Sequence, residues 1–590
     1  MIHSSYTIAG AVVLAALLTV SMTLPMPAAA LTPQDRVENF RLLDHKGASH
    51  ELYYYSDMQA VVIMAQANAC ETVQTAVPLL EALAADDVQV LLLNSSLADN
   101  RSAISAELEA LDSALPVLLD DTQIIGESMD LSRAGEVFVL DPKTWSVVYA
   151  GHAAGAGNAV ESLVAGAEVE DAVGVVEGCA VDYPHQSERA QHADISYADE
   201  IAPMLADNCV ACHREGGIGP WAMNDYNMVR GFSLMIREVV RTQRMPPWHA
   251  DPAYGHFSND RSLSADQVQT LVHWIEAGAP RGEGSDPLAD YEHDWPLWDG
   301  AREMGPPDLV INIPAAEIPA TGVVDYLYQH VENPLDEDVW VKASEILPGD
   351  RAVLHHVITR FGEMHTEGPR KGRMKREGGG GLAGYVPGYV TRPLPDGTGT
   401  LLPANATIQF QMHYTTNGRS TVDESKMGIW FHKEPPENEI SGLVWINPRI
   451  RIPAHSKNHS ESATLTVRQD AVLYNLLPHA HFRGKASNFV ALYPDGSEEM
   501  LLSVPNYDFN WQTTYILAEP KFIPAGTKIV HTTWWDNSGQ NPANPDPSRE
   551  VPWGQQSWDE MLFGAASLRY LSEAESAAYR AGELELAEAD

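Results

Sequence analysis

The sequence predicts a multidomain chain with an α/β region first, an all-α region second and two all-β sandwiches last. Three observations predict it. Compact apolar runs alternate with helical stretches over residues 31–182. A mostly helical texture follows over 190–290. From about 305 onward, short strands of alternating polarity are separated by Pro and Gly turns. A length of 590 residues is enough for several domains, and 44% hydrophobic content is enough for several cores.

The first 30 residues are read as a signal peptide. An apolar run from Ile8 to Val20 is followed by small residues ending Ala28-Ala29-Ala30, an A-x-A cleavage pattern. The start has no Lys or Arg, so an uncleaved membrane anchor is the alternative. Either reading implies export, to the periplasm or the exterior. A net charge of −42 excludes nonspecific binding to nucleic acid or to an anionic membrane surface. Only four cysteines occur, Cys70, Cys179, Cys209 and Cys212, and none lies beyond residue 212.

In the α/β region, Val61-Val62-Ile63-Met64, Val88–Leu93 and Val137–Leu140 read as buried strands, with helix between, as at Val77–Leu83. The pattern resembles a thioredoxin or peroxiredoxin-type domain with a degenerate site. Dithiol exchange needs Cys-x-x-Cys at a helix start, where the first thiol's pKa falls. Here Ala67-Asn68-Ala69-Cys70-Glu71-Thr72-Val73 offers one cysteine, and Gly135 stands where the family has a cis-proline. Cys70 and Cys179 remain as candidate redox thiols, either paired with each other or with Cys70 alone.

Cys209-Val210-Ala211-Cys212-His213 is the c-type haem attachment motif, so the helical region resembles a cytochrome c domain. Two thioethers would hold the porphyrin and His213 one face of the iron. A methionine opposite the histidine raises the potential, and Met223, Met228, Met235 and Met245 are candidates. Met245, in Arg244-Met245-Pro246-Pro247-Trp248, is the expected second axial ligand, because its two prolines fix the loop and hold the sulfur off a helix. His249 is its rival.

The β-rich half divides at about 440 into sandwiches spanning 305–440 and 441–572, followed by an acidic Ala/Glu tail at 573–590. Its candidate ligands are His355 and His356 in Leu-His-His-Val, His413 in Gln-Met-His-Tyr, His479 and His481 in Pro-His-Ala-His-Phe, and Met561 in Asp-Glu-Met. Imidazole binds copper in either oxidation state, and a thioether favours the cuprous ion. His479 and His481, two apart on a strand, share one face. Adjacent His355 and His356 point to opposite faces unless the strand twists or bulges. The histidines at 365, 432, 455 and 459 are set aside as surface or core residues.

In that order, with Phe482-Arg483-Gly484-Lys485 after the His-x-His, these landmarks resemble the type II copper, ascorbate-dependent monooxygenases, the group of peptidylglycine alpha-hydroxylating and dopamine beta-monooxygenases. The resemblance implies two jelly-roll-type sandwiches and two copper ions. It assigns an electron-storing copper to His355, His356 and His413, and an oxygen-binding, catalytic copper to His479, His481 and Met561. It also implies that the sites face each other across an open cleft. The family's grip on a peptide carboxylate is missing, since Leu477, Phe563 and Ala565 stand at its positions. A neutral or apolar small-molecule substrate is therefore expected beside O2, near aromatic candidates Tyr507, Phe509, Trp534 and Trp535. The fused haem c suggests an electron donor other than ascorbate. A non-catalytic electron carrier or copper-handling protein is the alternative of a different class, and a thiol-redox protein using Cys70 is a weaker one.

Overall fold

The computed structural model describes residues 31–584 except 290, 292–294, 366, 368–372, 376–379 and 389. The signal segment and the end of the acidic tail lie outside the described residues. Among these residues no helix is long and apolar enough to cross a membrane.

The first region is a five-stranded sheet in the order Val117–Leu119, Val88–Asn94, Ala60–Gln66, Val137–Asp141, Ser146–Gly151. The first three strands run parallel and the last two antiparallel. Because side chains alternate along a strand, Val62 and Met64 pack on one face and Val61, Ile63 and Ala65 on the other. The helices Glu71–Glu81, Arg101–Ala110 and Ala153–Ala165 all contribute to the first face.

The second face is covered largely by the next region. Leu205, Val229, Ile236, Leu271 and Trp274, from the helical segment, share one continuous core with Ile63, Leu91 and Phe138. The sequence reads as two separate domains here, whereas the structure fuses them. A sheet with three helices on one side leaves an apolar face that must be buried somewhere. The helix Ala265–Glu276 completes the join: His273 Nε2 lies 2.7 Å from Glu127 Oε2, and Gln269 donates to the Thr122 carbonyl.

The remaining residues form two pairs of sheets, each pair on its own core. In the first, the sheet holding Val339–Leu347 and Lys426–Phe431 faces the sheet ordered Leu327–Glu332, Thr407–Tyr414, Leu354–Gly362, Gly380–Gly381. In the second, the sheet Ser441–Ile446, Phe563–Tyr570, Ala471–His479, Tyr515–Ile523 faces one built on Lys528–Trp535 and Gly484–Leu492. The helical region packs on this second pair, where Trp248 and Phe257 join its core and Ser258 N donates to the Ile516 carbonyl. The α/β region touches it too, with Tyr54 donating to Asp536 and Asp57 paired with Lys457.

Cys70 caps the helix Glu71–Glu81 and is bonded to Cys179, 109 residues on. Cys179 lies on a short strand that pairs with Arg133–Ala134. Gly135 follows with φ +100°, and a Cβ there would come within 2.6 Å of Thr72, so this crossing requires glycine. The disulfide therefore ties the returning strand to the helix start. We expect Cys179→Ser to lower stability by about 2–4 kcal/mol. Urea unfolding with and without a dithiol reductant measures this, and equal midpoints for reduced and oxidised wild type would refute it.

Candidate metal centre

Leu354–Gly362 pairs antiparallel with Thr407–Tyr414 and sets His356 opposite His413. The register slips between Leu354 and His356, so His355 is the extra residue of a bulge. That bulge lets two consecutive imidazoles stay together. Ring centroids are 5.0 Å apart for His355 and His356, and 3.7 Å for His356 and His413. Tyr326 stacks on the far side of His413 at 3.5 Å. His355 Nε2 and both ring nitrogens of His356 and His413 are buried without a hydrogen-bond partner. Buried polar atoms are almost always satisfied. Five orphaned imidazole nitrogens in three adjacent rings fit an electron-pair acceptor such as a copper ion.

His479 ends the strand Ala471–His479 and His481 follows it, with rings 5.2 Å apart. The surrounding residues fix both rings. His479 Nδ1 lies 2.6 Å from Gln512 Oε1, and His481 Nδ1 lies 3.2 Å from the Asp559 carbonyl. Each Nδ1–H then donates, which leaves each Nε2 lone pair for a metal. Tyr507 clamps the turn between them, its hydroxyl accepting from Ala480 N and donating to Ala480 O.

Glu560 is fully buried and was not among the expected site residues. Its carboxylate accepts from His481 N at 2.8 Å, Arg483 N at 2.6 Å and Trp535 Nε1 at 3.1 Å. Burial pushes its carboxyl up to about 7, against the pull of these N–H groups and the Arg483 charge. Met561, half-buried, comes next in the chain, with its N 3.4 Å from Glu560 Oε2. The segment carrying the expected thioether is thus bonded directly to the His481 turn.

The two sets meet, which corrects the expectation of an open cleft. His356 and His479 ring centroids are 6.2 Å apart. Phe509 lies between the sets, 4.6 Å from His355 and 6.0 Å from His481. The other aromatic candidates are structural or peripheral, for Trp535 is core, Tyr507 holds the turn and Trp534 is half-buried. Phe563 pairs with His479 across the strands, at 5.5 Å ring to ring. Burial holds all five imidazoles neutral: His355 and His479 fall to about 4, His481 to about 3, His413 to about 2, and His356 far below its usual value. A neutral imidazole is the ligand form. Among the described residues, no group of three or more His, Cys, Asp or Glu side chains is placed so as to hold a metal ion, His355, His356 and His413 as they stand included. The second set needs only two of those types plus the Met561 sulfur.

In the helical region Cys209 and Cys212 are unbonded thiols, and burial pushes Cys209 up to about 12. His213 N donates to the Cys209 carbonyl at 2.9 Å, and His213 Nδ1 lies 3.1 Å from the Trp221 carbonyl. Two free thiols and a histidine oriented through Nδ1 fit covalent haem. Met245 is half-buried on the loop after the helix Ser233–Arg241. Met223, by contrast, is core, and its N donates to the His213 carbonyl. His249 is buried against the second sandwich, with Asp508 and Arg41 as its nearest charges, and desolvation lowers it to about 4. Burial raises the Cys212 thiol, and the charges of Arg261, Asp299, Arg214 and Arg351 act on it.

No family model matches the chain, and no curated protein does. Solved structures resemble part of it. A hypothetical protein from Sinorhizobium meliloti 1021 is 20% identical with a TM-score of 0.25, the likeness covering 26% of this chain and 96% of that one. Peroxidoxin BcpB from Mycobacterium tuberculosis is 18% identical at TM-score 0.21, over 23% of this chain and 97% of that one. A putative thiol:disulfide interchange protein DsbE from Chlorobium tepidum is 14% identical at 0.21, over 23% and 99%. The chain is multidomain, with an α/β region built on a five-stranded sheet and a remainder built mainly of β-sheet.

Proposed function

We propose that this chain is an exported copper-dependent monooxygenase that hydroxylates a neutral or apolar small molecule with O2, its electrons entering through a haem c carried by the same chain. The observation that supports it most is the set of unpartnered, neutral ring nitrogens of His355, His356 and His413 facing the oriented pair His479 and His481. His355, His356 and His413 would hold one copper, and His479, His481 and Met561 the other. Bound copper supplies one-electron transfer and dioxygen activation. Cys209, Cys212, His213 and Met245 would hold the haem in a cytochrome c-like domain, where it would supply one-electron transfer.

The chain's own residues prepare the site. Gln512 and the Asp559 carbonyl select the ring tautomers, Glu560 fixes the His481 backbone, and the Met561 thioether offers a soft donor on the adjoining segment. Phe509 and Phe563 line the space beside the rings with apolar surface. Leu477 lies opposite Ala565 in the strand pairing, so an ionic grip has given way to apolar contact. That supports a substrate without a carboxylate.

The test is metal and haem content of the purified chain, followed by oxygen uptake with a panel of apolar compounds. We expect two coppers and one haem per chain, with substrate-dependent oxygen uptake lost in His479→Ala. Copper bound without such uptake would favour the electron-transfer or copper-handling reading. Copper uptake unchanged by removing both His479 and Met561 would sink the ligand assignment.

A further inference from the structure

Cations are scarce in this chain, with 38 Lys and Arg against 80 Asp and Glu. Several partly buried arginines here find a carboxylate, as Arg101 does in Asp251, Arg237 in Glu38 and Glu276, and Arg569 in Glu575. Arg261 and Arg392 do not. Among the described residues neither lies within an ion-pair distance of an acid, although both are partly buried. Arg261 Nη2 donates to the Gly388 carbonyl at 2.5 Å. Arg392 donates from Nη1 to Ser258 Oγ at 3.3 Å and from Nη2 to the Ser258 carbonyl at 3.4 Å. Both guanidiniums therefore rest on neutral oxygens, and burial, helped by the nearby Arg392 charge, lowers the preference of Arg261 for its charged form.

The two line one cavity of about 160 Å³ where the helical region meets both sandwiches. Trp511 forms an aromatic wall, and Asp260, the one acid among the described lining residues, has its Oδ1 engaged by Ser262 N. Gly388 has φ +77°, and a Cβ there would come within 3.0 Å of Trp511 and 3.1 Å of Arg261 Nη1. Only glycine lets its carbonyl hold Arg261 while the indole closes against it. The cavity also has a marked position. Trp511 precedes Gln512, which orients His479. The lining residues Val386, Pro387 and Gly388 follow Tyr385, which pairs with Val357, next to His356. Arg261 is the leading charge beside Cys212.

From the unpaired guanidiniums, the aromatic wall and the cavity between them, we propose that Arg261 and Arg392 form a carboxylate-binding site. Guanidiniums match carboxylate oxygens bidentately, and a carboxylate would neutralise the two like charges that line the cavity. Two sources share this chemistry: a propionate of haem attached at Cys209 and Cys212, or a free organic acid. The propionate source rests on the haem reading above. The free-acid source does not.

The experiment compares the full chain, a haem-free Cys209→Ala/Cys212→Ala chain, and Arg261→Gln, Arg392→Gln, double Gln and double Lys variants. Haem content is assayed first, then succinate binding by calorimetry, then haem potential against pH. For a free acid, the intact chain binds succinate, the double Gln variant loses at least tenfold in affinity, and the double Lys variant retains most of it. For propionate, the intact chain ignores succinate and the haem-free chain binds it. Arg392→Gln then lowers the haem potential and changes its pH dependence, while double Lys does neither. If the chain carries no haem, the haem reading fails and succinate alone decides the site. Should the haem-free chain ignore succinate and the Gln variants leave the potential unmoved, the proposal is overturned.

Discussion

Glu560→Ala is expected to cost about 3–5 kcal/mol of stability, the penalty for breaking a buried charged network by removing one partner. Three donors, His481 N, Arg483 N and Trp535 Nε1, would lose their acceptor in a site that water does not reach. Arg483 is itself 0% exposed, and its guanidinium holds only neutral oxygens, those of Asn537 Oδ1 and the Trp558 and Asp546 carbonyls. Glu560 is the first of the charges that sustain it, so deletion also strands a buried cation. Glu560→Gln keeps the shape and one acceptor oxygen. It should fold, with copper affinity at His479 and His481 reduced about 10–100-fold, the usual effect of a lost outer partner. Denaturant unfolding reads the first variant and copper titration the second. Wild-type behaviour in both would show that Glu560 does not hold the His481 turn.

Glu560 also shows what the sequence concealed. It sits inside Trp558-Asp559-Glu560-Met561, a run notable for its methionine, and nothing local distinguishes the structural acid from its neighbour Asp559. The distinction appears only when the Lys528–Trp535 strand brings Trp535 to the same carboxylate. Gln512 was hidden for the same reason, 33 residues from the ring it orients. What was readable was local. The β-bulge at His355 could be anticipated, because strand geometry forbids consecutive side chains on one face. The buried strands of the α/β region were readable as apolar runs. The fusion of that region with the helical segment was not, since it depends on which sheet face the three helices leave bare. Nor was the closeness of the two histidine sets, which is set by how the two sandwiches pack.

That closeness makes the metal-free protein acid-sensitive. Imidazole titrates near 6.5 in an unfolded chain, whereas burial lowers all five rings to about 4 or below when folded, with repulsion from neighbouring rings adding to it at His355, His356, His413 and His481. Below pH 6.5 the unfolded state therefore binds more protons than the native one. Stability from these groups is complete above that pH and is lost as pH falls toward the folded values. At pH 5.5 each ring contributes up to about 1.4 kcal/mol of loss, so five independent rings would lose up to about 7. Their contact makes the true dependence a property of the cluster. Buried His249 and His531, lowered to about 4 and about 3, act in the same direction. We expect the urea midpoint of the metal-free chain to fall steeply between pH 7 and 5. The slope should be shallower in His356→Asn/His413→Asn, where two titrating rings are gone. Copper should oppose the fall by binding the neutral rings of the native state alone. A midpoint independent of pH over that range in the metal-free wild type would mean that the rings are not buried together, and the metal centre would have no physical basis.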